Sequence, residues 1–481
     1  MHLSIVARIL GALLLLFSTT LLAPLGISLA IADGVAPLYA LTLGGALLAG
    51  LALWLPTART RHVPLNRHGF LIVALFWVAM GAFGAVPFVL ATELDFAQAL
   101  FEAVSGFTTT GATVITDLDA LPRSLLFFRQ QLQWFGGIGV IVAAVAILPM
   151  LKVGGMQLYK AEVPGPVKDE KLTPRIAQSA RTLCSIYVAL TAACALLYWL
   201  AGMDPFDAIG HSFSTLSTGG FSTHDESMAW FDDAAIELIA VVFMILGGIS
   251  FGLHFRVWKQ LDLSAYLHND ETRWFLVILG AVSAFCALVM LAADPSVDAA
   301  VAARRAVFTV TSVMTTTGFG VDDFSIWPLA LPPLVLFLSF TGACAGSTTG
   351  GMKLVRFVVL ARQASIHVRR LIHPNLVQMV KLDGQVVPAS VIDGVWGFFT
   401  VYMFTFAVLM LALMMLGMDH ISAFGAVAAC LNNLGPGLGS VALSFAGQSD
   451  AVLHLMSFAM LLGRLEIFTF LVLLSPGFWR G

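Results

Sequence analysis

Four short tracts carry residue types suited to handling an ion: "SGFTTTGATV", "FSTLSTGGFST", "TSVMTTTGFG" and "ACLNNLGPGLG". Each sets small, mostly polar residues around a glycine. The candidate ion-binding residues are Thr109, Thr110 and Gly111; Ser217, Thr218 and Gly219; Thr316, Thr317 and Gly318; and Asn433, Leu434 and Gly435. A backbone whose carbonyls all turn into one narrow channel must alternate between left- and right-handed conformations, and glycine enters positive φ without a steric penalty. Rings of such carbonyls replace the hydration shell of an alkali ion. The flanking hydroxyls and amide support a loop without adding a fixed charge. The chemistry predicted is therefore dehydration of a monovalent cation, not bond-making. A single such tract reads as an ordinary turn or a small-residue helix contact; four at corresponding positions point to a shared ion path.

Little else in the chain is equipped for chemistry. All five cysteines, Cys184, Cys194, Cys286, Cys344 and Cys430, sit in apolar segments, and no CxxC or Cys/His spacing suited to zinc occurs. No nucleophile–base set appears within the apolar segments, so an enzyme is not expected. "GSTTGGMK" lacks the spacing of a phosphate-binding P-loop, and no GxGxxG follows a strand. The chain is thus expected to bind no cofactor of its own, and nucleotide control would need a second polypeptide. The formal charge of -3 argues against nucleic acid, whose binding requires a concentrated positive surface. His62, His68, His268, His367 and His373 fall in basic loops and read as solvated, while His211 reads as a local hydrogen-bonder.

The elements that must position these tracts follow from composition. The chain is 59% hydrophobic and 11% charged, with a mean hydropathy of +0.91, against roughly 25% charged residues in globular proteins. This is an all-α polytopic membrane protein. A hydrocarbon core of about 30 Å needs about 20 apolar residues per helix. By that measure ten spans are expected, centred near Leu15, Leu47, Val78, Val140, Leu190, Phe243, Leu279, Leu336, Phe406 and Leu461. The apolar N-terminal run continues to Ala32, too long for the core of a cleavable signal peptide, and reads as a retained first span. Before each glycine tract lies a short semi-apolar stretch that starts near an acid and is too short to cross. The glycines recur about every 100–120 residues, which defines a repeat of span, short helix, glycine loop and span. The predicted organisation is two extra helices in residues 1–66, then repeats over 67–151, 152–260, 261–370 and 371–481, arranged around a pseudo-fourfold pore. Loop backbone at membrane depth is tolerated only where it is buried in protein or lines water. Each short helix would aim its partly negative C-terminal end at the pore centre, which favours a cation.

Most lysines and arginines lie in the loops of one side: Arg59, Arg61 and Arg67, then Lys152 to Arg181, Arg256 to Arg273 and Lys353 to Lys381. The positive-inside rule makes this side cytoplasmic. The opposite side, which carries all four short stretches, is acidic. An acidic face raises local cation concentration within a Debye length of about 8 Å, although topology alone also leaves acids where basic residues are excluded. Two further features lie inside the membrane. "TGACAGSTTGGMK" places Gly342, Gly346, Gly350 and Gly351 within the eighth span, where each interior glycine costs about 1 kcal/mol relative to alanine, so an unbroken helix is not expected. Arg464 falls in the middle of the last span, where a charge costs about 2.5–3.5 kcal/mol and must face protein or water. It either lines the path or pairs with a carboxylate; Glu466, two positions on, points to a different helical face.

The repeat unit resembles the Trk/Ktr/HKT superfamily of potassium transporters, and "SGFTTTGATV" with "TTTGFG" is the most specific part of the match. In its ten-span form, the chain is similar to the TrkH-type subunits of bacterial inner membranes. The resemblance covers essentially the whole chain. It implies potassium uptake through a filter formed by the glycine of each repeat, and glycine at all four positions is the pattern associated with potassium, bound at the filter residues above. The fourth tract departs most, with "NNLGPG" in place of the threonines and Pro436 removing a donor. The resemblance further implies that residues 342–351 form an obstructing loop that moves on gating, and that Arg464 lines the cavity below the filter. It also implies a homodimer and a docked cytoplasmic nucleotide-binding regulator of the TrkA type. A sodium-conducting or weakly selective relative and a proton-coupled secondary transporter, or symporter, are the alternatives; the equal orientation of the four units argues against inverted repeats.

Overall fold

A computed structural model describes residues 3–59, 66–142, 172–328 and 330–480. Much of the expected basic loop from Lys152 lies outside the described residues, as do Arg61 and the side chain of Arg67. The chain is helical almost throughout; its strands among the described residues are a hairpin of Lys381–Leu382 with Gln385–Val386.

Six helices are long and apolar enough to cross a bilayer: Leu3–Ile31, Ala36–Thr57, His68–Ala91, Ala180–Leu200, Asp270–Ala293 and Ala389–Met415. Between 22% and 50% of each span's most apolar window is buried in protein. The remaining apolar surface, for example Leu48 and Phe404, faces outward, as lipid-exposed side chains do. Where helices do meet, small residues admit close approach: a Cβ on Gly11 would stand 2.8 Å from the Gly50 carbonyl oxygen.

Two further spans, the sixth and tenth of those expected, are sharply bent, a feature not anticipated from the sequence. Ala234–Gly248 turns by 96° into Phe251–Gln260, and Asp450–Arg464 turns by 112° into Phe468–Leu474. Taking each bent pair as one span gives eight. Of the other two expected, the fourth begins as Arg123–Val142 and runs to the edge of the described residues. The eighth is broken as anticipated, into Leu331–Thr341 and Leu354–Ile372.

Four shorter helices precede the glycine tracts: Phe96–Phe107, Pro205–Leu216, Ala299–Met314 and His420–Leu431. The acid expected at each start is an N-cap. Asp95, Asp204, Asp298 and Asp419 each accept a hydrogen bond from a backbone N–H of the first turn, which satisfies a donor that the helix leaves unpaired. Asp95 completes a reciprocal capping box with Gln98.

Candidate ion-conduction site

All four short helices end in the same way. The second residue past each end, Thr109, Thr218, Thr316 or Asn433, is left-handed, with φ of 53°, 51°, 52° and 54°. Its N–H bonds back to Gly106, Thr215, Val313 or Cys430, and the next N–H bonds back to Ser105, Ser214, Ser312 or Ala429. This pair of bonds is a Schellman ending. Three of the four left-handed residues are β-branched threonines, for which that conformation costs about 1–2 kcal/mol. Strain of this kind persists only where the surroundings over-determine it.

The next left-handed residue corrects the expected register in the second tract. Gly111, Gly220, Gly318 and Gly435 have φ of 82°, 77°, 82° and 104°. Gly220, not Gly219, is therefore the counterpart of Gly111, and Ser217, Thr218 and Gly219 correspond to Thr108, Thr109 and Thr110. The four glycines close a ring. A Cβ on Gly111 would overlap the Gly219 carbonyl, one on Gly220 the Thr317 carbonyl, one on Gly318 the Leu434 carbonyl, and one on Gly435 would lie 2.8 Å from the Thr110 carbonyl oxygen. Each loop leans on the next in order 1, 2, 3, 4 and back to 1. The fourth tract keeps this geometry despite its different residues.

The ring presents unpaired oxygen. The carbonyls of Thr109, Thr110, Gly111, Thr218, Thr316, Thr317, Gly318, Asn433, Leu434 and Gly435 accept no hydrogen bond among the described residues, although most of these residues are buried. Buried carbonyls are paired in the great majority of cases. Gly219 differs, because its carbonyl accepts from Gln133 Nε2 at 2.5 Å while Gln133 Oε1 accepts from Phe221 N–H at 3.1 Å. Asn433 Nδ2 ties the fourth loop to Thr110 Oγ1 at 3.0 Å. Thr108 and Thr110 share a hydroxyl bond of 2.7 Å that Thr315 and Thr317 repeat.

The segment from Gly342 to Lys353 lies against this ring. Gly342, Gly346 and Gly351 take positive φ, and a Cβ on Gly350 would overlap the Asn432 carbonyl. Gly350 N–H donates to Thr316 Oγ1 at 2.7 Å, Gly351 N–H to the Asn432 carbonyl at 3.0 Å, and Thr218 Oγ1 to Thr348 Oγ1 at 3.2 Å. The loop thus touches the second, third and fourth tracts. It also binds the broken sixth span, since Cys344 N–H donates to Gly248 and Phe251 N–H to Gly346, both at 3.0 Å.

Five charged side chains, Arg464, Glu466, Arg356, Glu271 and Lys353, hold this segment and its flanks; sequence reasoning singled out Arg464 and considered Glu466 only as its possible partner. Arg464 Nη1 donates to the Thr348 carbonyl at 2.9 Å. Arg464 lies midway along the last span as expected, but at a break in it, as the last residue of Asp450–Arg464 at the bend; its Nε and Nη2 are buried without hydrogen-bond partners. Glu466 sits in the break with φ of 53°, not on a helical face, and pairs with Arg356 at 2.6 Å. Glu271 Oε1 accepts from Ala345 N–H at 2.9 Å and Val355 N–H at 3.0 Å, joining both ends of the loop. Lys353 donates to the Thr349 carbonyl; it belongs to the loop, not to the cytoplasmic surface expected for it. In sequence, Glu271 looks like an ordinary first-turn acid, and nothing local marks its reach.

Outside the ring, His224 joins two loops. Its Nδ1 meets Asp119 at 2.7 Å and its Nε2 meets Asp207 at 3.3 Å, with the ring stacked on Trp230. Burial works against its charge, but the hydrogen bonds to Asp207 and Asp119 outweigh it and hold its pKa above the usual histidine value. His211 is the local hydrogen-bonder expected, between the Asp207 carbonyl and Ser222 Oγ, each at 2.9 Å. No cluster of three or more His, Cys, Asp or Glu suited to a metal ion occurs among the described residues.

Comparison with known proteins identifies the family. The TrkH family model, described as a cation transport protein, matches residues 45–479. The Trk system potassium uptake protein TrkH of Vibrio parahaemolyticus is 50% identical over 479 residues, 99% of each chain. That of Escherichia coli K12 is 47% identical over the full length of both chains, and the TrkG protein of the same strain is 39% identical. A crystal structure of the potassium transporter TrkH from Vibrio parahaemolyticus superimposes with a TM-score of 0.93, covering 100% of both chains at 46% identity. With the ring of glycine loops, the broken spans and full-length similarity to named transporters, this multi-pass membrane protein belongs to the TrkH family of cation transport proteins.

Proposed function

We propose that the chain is the potassium-translocating subunit of a Trk-type uptake system in a bacterial inner membrane, with its basic loops cytoplasmic. The observation that carries this reading is the ring of buried, unpaired carbonyls around Gly111, Gly220, Gly318 and Gly435. Oxygen dipoles without fixed charge suit a dehydrated monovalent cation, and the four short helices add the negative ends of their dipoles. The relatives named as potassium uptake proteins support potassium as that cation.

In this reading the path is built from ten spans, two N-terminal and eight in four repeats. Thr109 to Gly111, Ser217 to Gly220, Thr316 to Gly318 and Asn433 to Gly435 form the filter. The loop from Gly342 to Gly351 is the gate, and its bonds to Thr316, Asn432 and Thr218 hold it against the filter loops. Arg464 stands beside it, bonded to the Thr348 carbonyl and with two buried donors unpartnered. A homodimer and a cytoplasmic nucleotide-binding subunit of the TrkA type complete the system, the regulator acting on the gate from the basic side.

The test is ion flux into proteoliposomes holding the purified chain, with potassium, rubidium, sodium and lithium compared in the presence and absence of a proton gradient. Potassium and rubidium flux well above sodium, independent of the gradient, is expected. Equal sodium flux would replace this reading with a weakly selective transporter, and flux only under the gradient with a coupled one.

A further inference from the structure

Behind the first tract, one buried ion pair reaches several segments of the ring. Arg129, on Arg123–Val142, and Glu102, on Phe96–Phe107, are 1% and 0% exposed. Arg129 Nε and Nη2 donate to Glu102 Oε1 at 2.9 and 2.7 Å. Nη2 also donates to Thr113 Oγ1 at 3.2 Å, and Nη1 to the Ser222 carbonyl at 3.1 Å. The guanidinium lies 4.1 Å from the centre of the Phe221 ring. Glu102 in turn accepts from Val114 N–H and from Thr113 Oγ1, each at 3.0 Å. Thr113 passes the connection on, because its carbonyl accepts from Phe445 N–H at 2.8 Å and Ser444 Oγ at 3.2 Å in the segment after the fourth tract.

The attachment points are equivalent. Thr113 stands two residues past Gly111, and Ser222 two past Gly220. The pair therefore grips the first and second loops at matching places, just beyond their ring glycines. Nearest the ring, the joints at two other seams are neutral: Ala229 N–H to the Gly320 carbonyl between the second and third loops, and Asn433 to Thr110 between the fourth and first. Farther out, charged groups also join neighbouring segments, with His224 on Asp119 and Leu118 N–H on Asp225 between the first and second, and Arg304 on Glu237 between the second and third. A buried ion pair is a poor means of gaining stability, since desolvation offsets its attraction. What it supplies here is geometry: the planar guanidinium fork directs donors to two loops at once along fixed directions, whereas a lysine ammonium is a point charge on a flexible stem.

We propose that Glu102 and Arg129 are a specificity-determining positioning pair, which fixes the spacing of the first and second loops and thereby discrimination of potassium from sodium. This rests on the filter reading above. The test measures the reversal potential under opposed potassium and sodium gradients, using full-length Arg129→Gln, Arg129→Lys, Glu102→Gln and Thr113→Val, each normalised to folded protein by gel filtration. Arg129→Gln is expected to lower the potassium-to-sodium permeability ratio about tenfold, the change that follows a loss of ~1.4 kcal/mol of discrimination. Arg129→Lys, which keeps the charge without the fork, fails to restore it. Thr113→Val removes one hydroxyl from the network and shifts the ratio in the same direction by less; it keeps the test open where an Arg129 variant does not fold. Folded Arg129→Gln or Thr113→Val protein with the wild-type ratio overturns the proposal. Gly111→Ser separates the two readings: if it alters the ratio while those variants do not, the filter stands and the positioning pair falls, whereas an unchanged ratio in Gly111→Ser removes the filter reading itself.

Discussion

The adjacent glycines of the second tract give the most discriminating prediction, because only one of them occupies the ring position. A methyl group on Gly220 would overlap the Thr317 carbonyl oxygen and lie 3.0 Å from its carbon, while the backbone at φ of 77° disfavours any side chain. The left-handed conformation alone costs an alanine about 1–2 kcal/mol. Both obstacles are backbone, so relief requires the second and third loops to part by about 1 Å, a misplacement that can cost on the order of 10²-fold in a site that depends on geometry. Gly219 is not left-handed, and a methyl group there meets the Gln133 side chain. Gln133 can swing aside with the loss of its bonds to Gly219 and Phe221, about 1 kcal/mol each. Gly220→Ala is therefore expected to reduce potassium-selective rubidium uptake into proteoliposomes about a hundredfold. Gly219→Ala should lower it about tenfold or less, the equivalent of one such bond and a fraction of the next. The assay compares initial uptake per folded protein, with reversal potentials taken in parallel. A near-normal Gly220→Ala beside an inactive Gly219→Ala would refute both the register and the packing argument.

Two other perturbations test the gate and the outer mouth. Glu271→Ala removes the acceptor that joins Ala345 to Val355; basal potassium flux without any regulatory subunit should rise about tenfold, since a hydrogen bond to a charged group contributes ~1.5–3 kcal/mol. Glu271→Gln keeps an oxygen in the same place and should stay near wild type in the same flux assay. The His224 clamp should depend on external pH. A histidine whose folded pKa is raised contributes fully below its unfolded value and loses that contribution as pH rises through the folded one, so the clamp between Asp119 and Asp207 weakens above pH about 6.5. Thermal unfolding followed across that range should show a decline in the wild type that His224→Gln lacks; parallel profiles would refute the assignment.

What the sequence made legible was whatever repeats. The four glycine tracts, the short helices before them and the acids that cap those helices recur as a pattern, and Asp95, Asp204, Asp298 and Asp419 proved to be equivalent caps. The broken eighth span was visible because Gly342 to Gly351 cannot sustain a helix. Register within "STGGF" was not legible, since two adjacent glycines satisfy the same local rule and only contact with Thr317 distinguishes them. The bends after Gly248 and Arg464 were hidden for a related reason. Each sits in an apolar run of adequate length, and what breaks it is a neighbour: the loop takes the Gly247 and Gly248 carbonyls, and Arg356 takes Glu466. Buried charges were the least legible feature. Glu102, Arg129 and Glu271 look like ordinary polar residues near helix ends or on amphipathic faces, and their partners lie on other elements, 11 to 93 residues away in the chain.

The closed ring in which each loop abuts the carbonyl of the next is drawn from one continuous chain. In an assembly of four identical subunits, any substitution strikes every quadrant together and leaves only symmetric solutions. Here the quadrants are independent. A glutamine engages the carbonyl of Gly219 alone, an ion pair braces one seam, and an asparagine and a leucine stand where another quadrant has threonines. Affinity for the ion can accordingly be adjusted one quarter at a time, and an off-centre bound position, closer to one wall than to its opposite, is open to this architecture in a way that strict fourfold symmetry forbids.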